Sequence, residues 1–106
     1  MHIRVSRGTY APALHAKVSA RLNASSESLV PAIRKLPGCM GYFVGSDGAS
    51  NTMVNISCWD TLEHAEAMSS LAEMIALGKE FVQMGVAFER PIINYQVMWK
   101  LPLATA

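Results

Sequence analysis

The chain has 106 residues, a formal net charge of +1 at pH 7 and a hydrophobic share of 51%. This length and composition suit one compact domain and leave no room for a second. The near-neutral charge and the absence of a basic run argue against nucleic acid as the main partner, because phosphate binding needs a concentrated cationic surface.

The first half of the chain predicts a strand followed by helical structure. Ile3 to Arg7 is a strand candidate, and Pro12 suits the first turn of the helix after it. The helix carries an apolar stripe at three- and four-residue steps, formed by Leu14, Val18, Leu22, Leu29, Ile33 and Leu36. Pro31 interrupts this pattern, so the helix is either kinked there or divided between Asn23 and Ser28 into two shorter pieces.

The segment 36–65 predicts a helix end, a hairpin and a new helix. Pro37 and Gly38 end the first helical region. The β-rich runs 39–45 and 52–59 are separated by turn formers with an Asp-Gly pair, which is typical of an antiparallel hairpin. We expect Asp60 to cap the next helix and Glu63 to complete a capping-box-like pair.

The helical period returns between Leu62 and Met84, with Ser69, Ser70, Gly78 and Gly85 as candidate breaks, and predicts two helical segments. Residues 92–99 form the last predicted strand after Pro91. The order β-α-β-β-α-β predicts an α+β, ferredoxin-like fold over residues 1–100, with a tail at 101–106.

The two cysteines, Cys39 and Cys58, lie nearly opposite each other if the hairpin pairs symmetrically. Directly paired strand positions give strained disulfides, so we expect two buried free thiols. No apolar run reaches the length of a membrane-spanning helix, and residues 1–8 lack a secretory hydrophobic stretch. We therefore expect a cytoplasmic protein without a membrane partner.

Alternation along the hairpin separates two faces of the sheet. One face is almost wholly apolar, with Cys39, Phe43, Val54, Ile56 and Cys58. The other face carries Met40, Tyr42, Val44, Met53, Asn55, Ser57 and Trp59. Helices can cover only one face, so we expect a second copy of the chain to bury the apolar one in a homodimer.

The chain resembles the dimeric α/β-barrel superfamily that includes the antibiotic biosynthesis monooxygenases. The resemblance rests on the order of elements, on the LPG segment before the second strand and on the run Asn55-Ile-Ser-Cys-Trp59-Asp60 at the end of the third. The resemblance covers nearly the whole chain. It implies a barrel formed by two protomers, each with a pocket between its helices and its sheet.

The resemblance also implies the chemistry and a candidate site. Cofactor-free oxygenases of this group oxidise electron-rich phenols or hydroquinones to quinones with molecular oxygen, so no cofactor is expected. They line their pocket with an asparagine and a tryptophan four residues apart, a spacing that Asn55 and Trp59 reproduce as candidate catalytic residues. Tyr42, across from Asn55 under symmetric pairing, Ser57 and Met53 are candidate substrate-binding residues. The ligand would be a small apolar or aromatic molecule.

Several alternatives stay open. The further tyrosine and the arginine of the best-known quinone-forming members have no clear counterpart, and Arg4, Arg7 and Lys79 are only loose substitutes. Trp59 at a strand end is also typical of a core anchor, and Asn55 can simply bond backbone or water. The three histidines, His2, His15 and His64, lack ligand spacing, so no metal site is expected. The competing hypotheses are a non-catalytic dimeric protein that binds or senses a small apolar metabolite and, more weakly, an RNA-binding domain.

Overall fold

An antiparallel sheet with helices against one face forms the architecture, and the computed structural model describes residues 1–101 of the chain. Five strands belong to the sheet: β1 His2–Thr9, β2 Cys39–Asp47, β3 Thr52–Trp59, β4 Ala87–Phe88 and β5 Ile93–Gln96. Their order is β2-β3-β1-β4, and β5 also pairs with β1. The α+β, ferredoxin-like prediction is confirmed. The predicted tail lies outside the described residues from position 102 onwards.

The first helical region is divided, as one of the two sequence interpretations predicts. A 3-10 turn at Pro12–Leu14 leads into α1, His15–Ala24, and α2 follows as Ser26–Arg34. The break is at Ser25, whose buried hydroxyl donates to the carbonyl of Leu22 at 2.5 Å. Pro31 lies inside α2. The predicted apolar stripe packs in the core as expected.

The hairpin is confirmed, but a bulge between Cys39 and Gly41 changes its register. Gly41 pairs with Cys58, so the two cysteines are not directly opposite, and both are half-buried free thiols. Tyr42 pairs with Ser57 and not with Asn55, which corrects the symmetric pairing. The reason is the length of the loop, because β2 continues to Asp47, which pairs with Thr52. Four residues rather than the predicted six connect the strands, so each partner of β2 moves by two positions.

The second helical region begins one residue later than predicted. Helix α3 is Leu62–Glu66, its N-cap is Thr61, and the Thr61 side chain accepts from the backbone N–H of His64 at 3.1 Å. Asp60 instead bonds the ring Nδ1 of His64 at 2.6 Å, so the predicted Asp60 cap is wrong. A 3-10 turn, Ala67–Ser70, precedes α4, Ala72–Met84, which ends at Gly85 with a φ of 111°.

The final strand is shorter than residues 92–99, because only Ile93–Gln96 pairs with β1. Before it in the chain, the two-residue strand β4 pairs with Gly8 and Thr9 of β1. Gly8 is required there, because a Cβ atom would lie 2.6 Å from a methyl carbon of Val86.

The helices cover the face of the sheet that carries Met53, Ser57 and Trp59, all buried. The opposite face is open, and Phe43, Ile93 and Tyr95 on it are 65%, 51% and 52% exposed. The site described below lies on the covered face.

Candidate functional site

A row of polar side chains crosses the helix-covered face of the sheet. Tyr42 on β2 pairs with Ser57 on β3, Ser57 pairs with Arg4 on β1, and Arg4 pairs with Asn94 on β5. Paired residues in an antiparallel sheet point to the same side, so these groups share one face. Asn55, two residues before Ser57 on β3, points to the same side.

Arg4 is a charged residue at an inward-facing strand position, only 7% exposed. Its guanidinium donates to the hydroxyl of Ser69 at 2.9 Å and to the side-chain oxygen of Asn94 at 3.4 Å. Both partners are neutral. Burial lowers the pKa of Arg4, and repulsion from Arg90 lowers it further, against weaker opposing effects of Tyr42 and Glu66. The side chain still carries its charge at neutral pH, because arginine starts from a very high pKa.

The hydroxyl of Tyr42 is buried and finds no hydrogen-bond partner among residues 1–101. Burial raises the pKa of Tyr42 strongly, with Arg4 acting in the opposite direction. At neutral pH the group is therefore a protonated phenol with a free donor. A buried polar atom without a partner is uncommon and indicates a place for a ligand or water.

An inner cavity of about 70 Å³ opens between the sheet and the helices. Its polar lining consists of the side chains of Arg4, Ser6, Ser25, Tyr42, Asn55 and Arg90. Its apolar lining includes Leu22, Leu29, Met53, Met68, Met74, Leu77, Phe81, Phe88 and Ile92. Polar groups on the sheet side and apolar walls on the helix side are the usual composition of a small-molecule pocket.

An outer groove of about 540 Å³ continues from this cavity along α4. Arg4, Met74, Gly78, Phe88 and Arg90 line both spaces, so the two are contiguous. A cavity of about 150 Å³ is known to hold benzene, and the inner cavity has less than half of that volume. A ring therefore lies in the groove or displaces the flexible methionine side chains.

Three of the predicted site residues, Asn55, Tyr42 and Met53, line the inner cavity. Asn55 forms no side-chain hydrogen bond within the described part of the chain, so its amide is free to contact a ligand. Its role stays a prediction, as do the roles of Tyr42 and Met53.

The other two, Trp59 and Ser57, are both 0% exposed and do not line the cavity. The indole N–H of Trp59 donates to the Ser57 hydroxyl at 2.8 Å. The catalytic role predicted for Trp59 and the binding role predicted for Ser57 also stay predictions, and in this conformation each side chain satisfies the other.

Sequence reasoning missed Arg90 and the helix residue Gly78, and it gave Arg4 too little weight. Local patterns offered no signal for Arg4, because alternation of polar and apolar residues would turn Ile3 and Val5 inward, whereas the structure buries Arg4. Arg90 gave no signal, because the pairing of β4 and β5 with β1 brings this late segment of the chain to Arg4.

Within residues 1–101, no group of three or more His, Cys, Asp or Glu side chains is arranged to hold a metal ion. None of the helices described in that range is long and apolar enough to cross a bilayer.

No protein-family model and no curated protein sequence matches the chain, but solved structures share its fold. An antibiotic biosynthesis monooxygenase candidate from Deinococcus radiodurans superposes with a TM-score of 0.72 at 18% identity, over 99% of this chain and 100% of that one. A second candidate, from Nitrosomonas europaea, superposes with a TM-score of 0.70 at 16% identity, over 93% of this chain and 100% of that one. SnoaB, a cofactor-independent oxygenase from Streptomyces nogalater, superposes with a TM-score of 0.61 at 19% identity, over 95% of this chain and 96% of that one. The fold is therefore that of antibiotic biosynthesis monooxygenase-like proteins.

Proposed function

We propose that this protein is a cofactor-independent monooxygenase that oxidises an aromatic or polyketide-type phenol or hydroquinone in the pocket between its helices and its sheet. The observation that carries the proposal is the inner cavity, where the Tyr42 hydroxyl, the Asn55 amide and the Arg4 guanidinium meet apolar walls. The shared fold with a cofactor-independent oxygenase supports the same reaction class.

The reaction needs an anion that can reduce oxygen. A phenolate with a hydrogen on its para carbon transfers one electron to dioxygen, and the resulting radical pair forms a carbon–oxygen bond at that carbon. The hydroperoxide then loses water and leaves the quinone. One phenol and one dioxygen thus give one quinone and one water, with one oxygen atom of dioxygen in each product. A hydroquinone reacts in the same way only where the carbon para to its reacting hydroxyl carries a hydrogen.

The side chains at the cavity suit the charges that develop along this path. The buried cation of Arg4 stabilises the phenolate, because Coulomb attraction is strong where water is excluded. The free Tyr42 phenol and the Asn55 amide are hydrogen-bond donors for the phenolate or peroxide oxygen. Among the residues that line the inner cavity none is Asp, Glu, His or Lys, so the substrate proton leaves to solvent through the groove.

We also propose that two copies pair through the open face of the sheet. Phe43, Ile93 and Tyr95 expose more than half of their surface there, beside Val5 and Ile56 on the neighbouring strands. Large exposed apolar patches mark interaction sites, and a two-fold pairing of identical sheets buries this one. The two free thiols are consistent with the reducing cytoplasm that we propose as the location.

Oxygen uptake by purified protein without added cofactor tests the enzymatic proposal, with a panel of anthrones, hydroquinones and polyphenols. Asn55→Ala should lower the rate by roughly 100-fold, as removal of a transition-state donor does. Asn23→Ala, an exposed asparagine on α1, is the matched control and should leave the rate unchanged. Uptake no faster than the blank across the panel would contradict the proposal.

A non-catalytic protein that binds or senses a small apolar metabolite is the second candidate. Two observations favour it. The cavity has no side chain that accepts a proton, and the indole N–H of Trp59 is already bonded to Ser57. Binding alone needs neither a base nor a free indole donor. Asn55→Ala separates the two functions: a binding protein loses only affinity, whereas an oxygenase loses turnover.

A further inference from the structure

The charge on the walls of the cavity and groove is of one sign. Three cationic side chains, Arg4, Lys79 and Arg90, line these two spaces, and no Asp or Glu does so among the described residues. The whole chain carries a formal charge of only +1, so this concentration is local. A pocket lined by cations alone attracts anions and focuses its field into the groove.

The buried cation at the centre lacks a counter-ion. Arg4 contacts only the neutral groups of Ser69 and Asn94. The side-chain ion pairs in residues 1–101 are Arg21 with Glu80 and His64 with Asp60, and neither involves the pocket. The attraction of Glu66 for Arg4 is weaker than the repulsion from Arg90. An uncompensated buried charge is costly, and a bound anion would compensate it.

Arg90 at the mouth offers both charge and a flat surface. Its guanidinium lies 4.8 Å from the centre of the Phe88 ring and donates to the carbonyl of its neighbour Glu89 at 2.9 Å. The side chain is exposed, so its remaining donors are free for a ligand in the groove. Phe88 lines the same groove, and a ring that stacks near it brings an attached carboxylate to Arg90.

We propose that the substrate is an anionic aromatic compound, a phenol that also carries a carboxylate. Arg90 and Lys79 bind the carboxylate in the outer groove, and the phenol end points inward to Arg4. This inference rests on the proposed function, whose substrate class it narrows. It also explains how the ligand is oriented, since a cavity with apolar walls alone would accept a ring either way round.

Binding under anaerobic conditions tests the inference without turnover. Isothermal titration compares 6-hydroxy-2-naphthoate with 2-naphthol, which has the same ring and hydroxyl but no carboxylate, and with acetate, which has the carboxylate alone. We expect the naphthoate to bind at least about tenfold more tightly than 2-naphthol, as a charge-assisted hydrogen bond provides, and acetate not to bind measurably. The affinity of the naphthoate should fall as the salt concentration is raised, because the groove is open to solvent.

Variants then assign the carboxylate to its partners. Arg90→Gln and Lys79→Gln, both at exposed positions, should weaken naphthoate binding by about five- to tenfold and leave 2-naphthol within about twofold. Arg90→Lys should restore part of the loss. Lys17→Gln, an exposed lysine on α1 away from the pocket, is the matched control and should change neither ligand.

Equal affinities for the naphthoate and 2-naphthol, or equal losses for both ligands in Arg90→Gln, would overturn the inference whatever the oxygen-uptake result. Tight, salt-sensitive naphthoate binding without oxygen uptake from any phenol would support the anionic ligand and reject the enzyme. The two failures are therefore distinguishable.

Discussion

Trp59 donates its indole N–H to the hydroxyl of Ser57 at 2.8 Å, and both side chains are 0% exposed. The two residues lie on the same face of β3, two positions apart, and the bond satisfies the only donor that indole has. Trp59 thus anchors the strand that carries Asn55, and in this conformation it has no donor to offer a ligand.

Trp59→Phe should therefore affect stability more than turnover. The substitution leaves the buried Ser57 hydroxyl without its donor, and we expect the free energy of unfolding to fall by about 1–3 kcal/mol. Turnover at saturating substrate should stay within about threefold. Urea denaturation and oxygen uptake measure the two effects.

Ser57→Ala is the companion variant, because it removes the acceptor and frees the indole N–H. A similar loss of stability in both variants is expected. A 100-fold loss of turnover in Trp59→Phe, with full turnover in Ser57→Ala, would contradict the anchoring role and make Trp59 a catalytic donor.

Gly78 on α4 lies where the inner cavity and the outer groove meet. A Cβ atom there would meet nothing within 4 Å, although Gly78 lines both the cavity and the groove. Gly78→Ala should stabilise the protein by about 1 kcal/mol, because alanine is the better helix former. Gly78→Leu should fill the junction between the two spaces and weaken binding of 2-naphthol at least about tenfold.

Ala76→Leu, at an exposed position two residues earlier on the same helix, is the control for the leucine variant. Thermal unfolding and titration with 2-naphthol give both readouts. Normal 2-naphthol binding to Gly78→Leu would show that the ligand site lies elsewhere.

Phe43→Asp should separate the proposed dimer. Phe43 lies on the open face of the sheet and is 65% exposed in the single chain, so the charge costs little before pairing but would be buried in the interface. Light scattering at micromolar concentration should give a dimer for the unchanged protein and a monomer for the variant. Leu62→Asp, an exposed position on α3, should stay dimeric. A monomeric unchanged protein would reject the proposed pairing.

The Asp60–His64 contact should make part of the acid stability depend on the Asp60 carboxyl group. The side-chain hydrogen bond with His64 is the main cause that lowers the pKa of Asp60 from 3.8. A lowered folded-state pKa gives stability that is present above pH 3.8 and lost as the pH falls through the folded-state value. Asp60→Asn should therefore flatten the fall of Tm below pH 4, whereas Glu63→Gln should not. Identical slopes in all three proteins would contradict this assignment.

Local chemistry allowed most of the fold to be predicted. Pro37 and Gly38 end the first helical region, and the Asp-Gly pair marks the turn of the hairpin. Both signals depend only on neighbouring residues, so the hairpin and its flanking helices were predictable. The Asp60 cap was wrong, because Thr61 caps the helix one residue later by accepting from the backbone N–H of His64, and the side chain of Asp60 bonds the His64 ring instead. Adjacent residues of similar capping ability cannot be ranked from sequence alone.

The site was less predictable because it depends on contacts between distant segments. Asn55 and Met53 were placed correctly by strand alternation, and Tyr42 reaches the cavity although its partner is Ser57. The run of turn-forming residues after Val44 did not show that β2 continues to Asp47, so the register of the hairpin was off by two. Arg4 and Arg90 come together through the pairing of β1 with β4 and β5, strands from opposite ends of the chain, which local patterns do not record.

Turnover with isotopically labelled dioxygen tests the central claim most directly. The protein is dialysed against a chelator and mixed with ¹⁸O₂ and a phenol that supports uptake and has a hydrogen on its para carbon. The products are analysed by mass spectrometry. We predict one labelled oxygen atom in each quinone, the second in water, and an unchanged rate after chelation. Quinone without label, hydrogen peroxide in equal amount to quinone, or a rate that is lost on chelation and restored by metal would contradict a cofactor-independent monooxygenase.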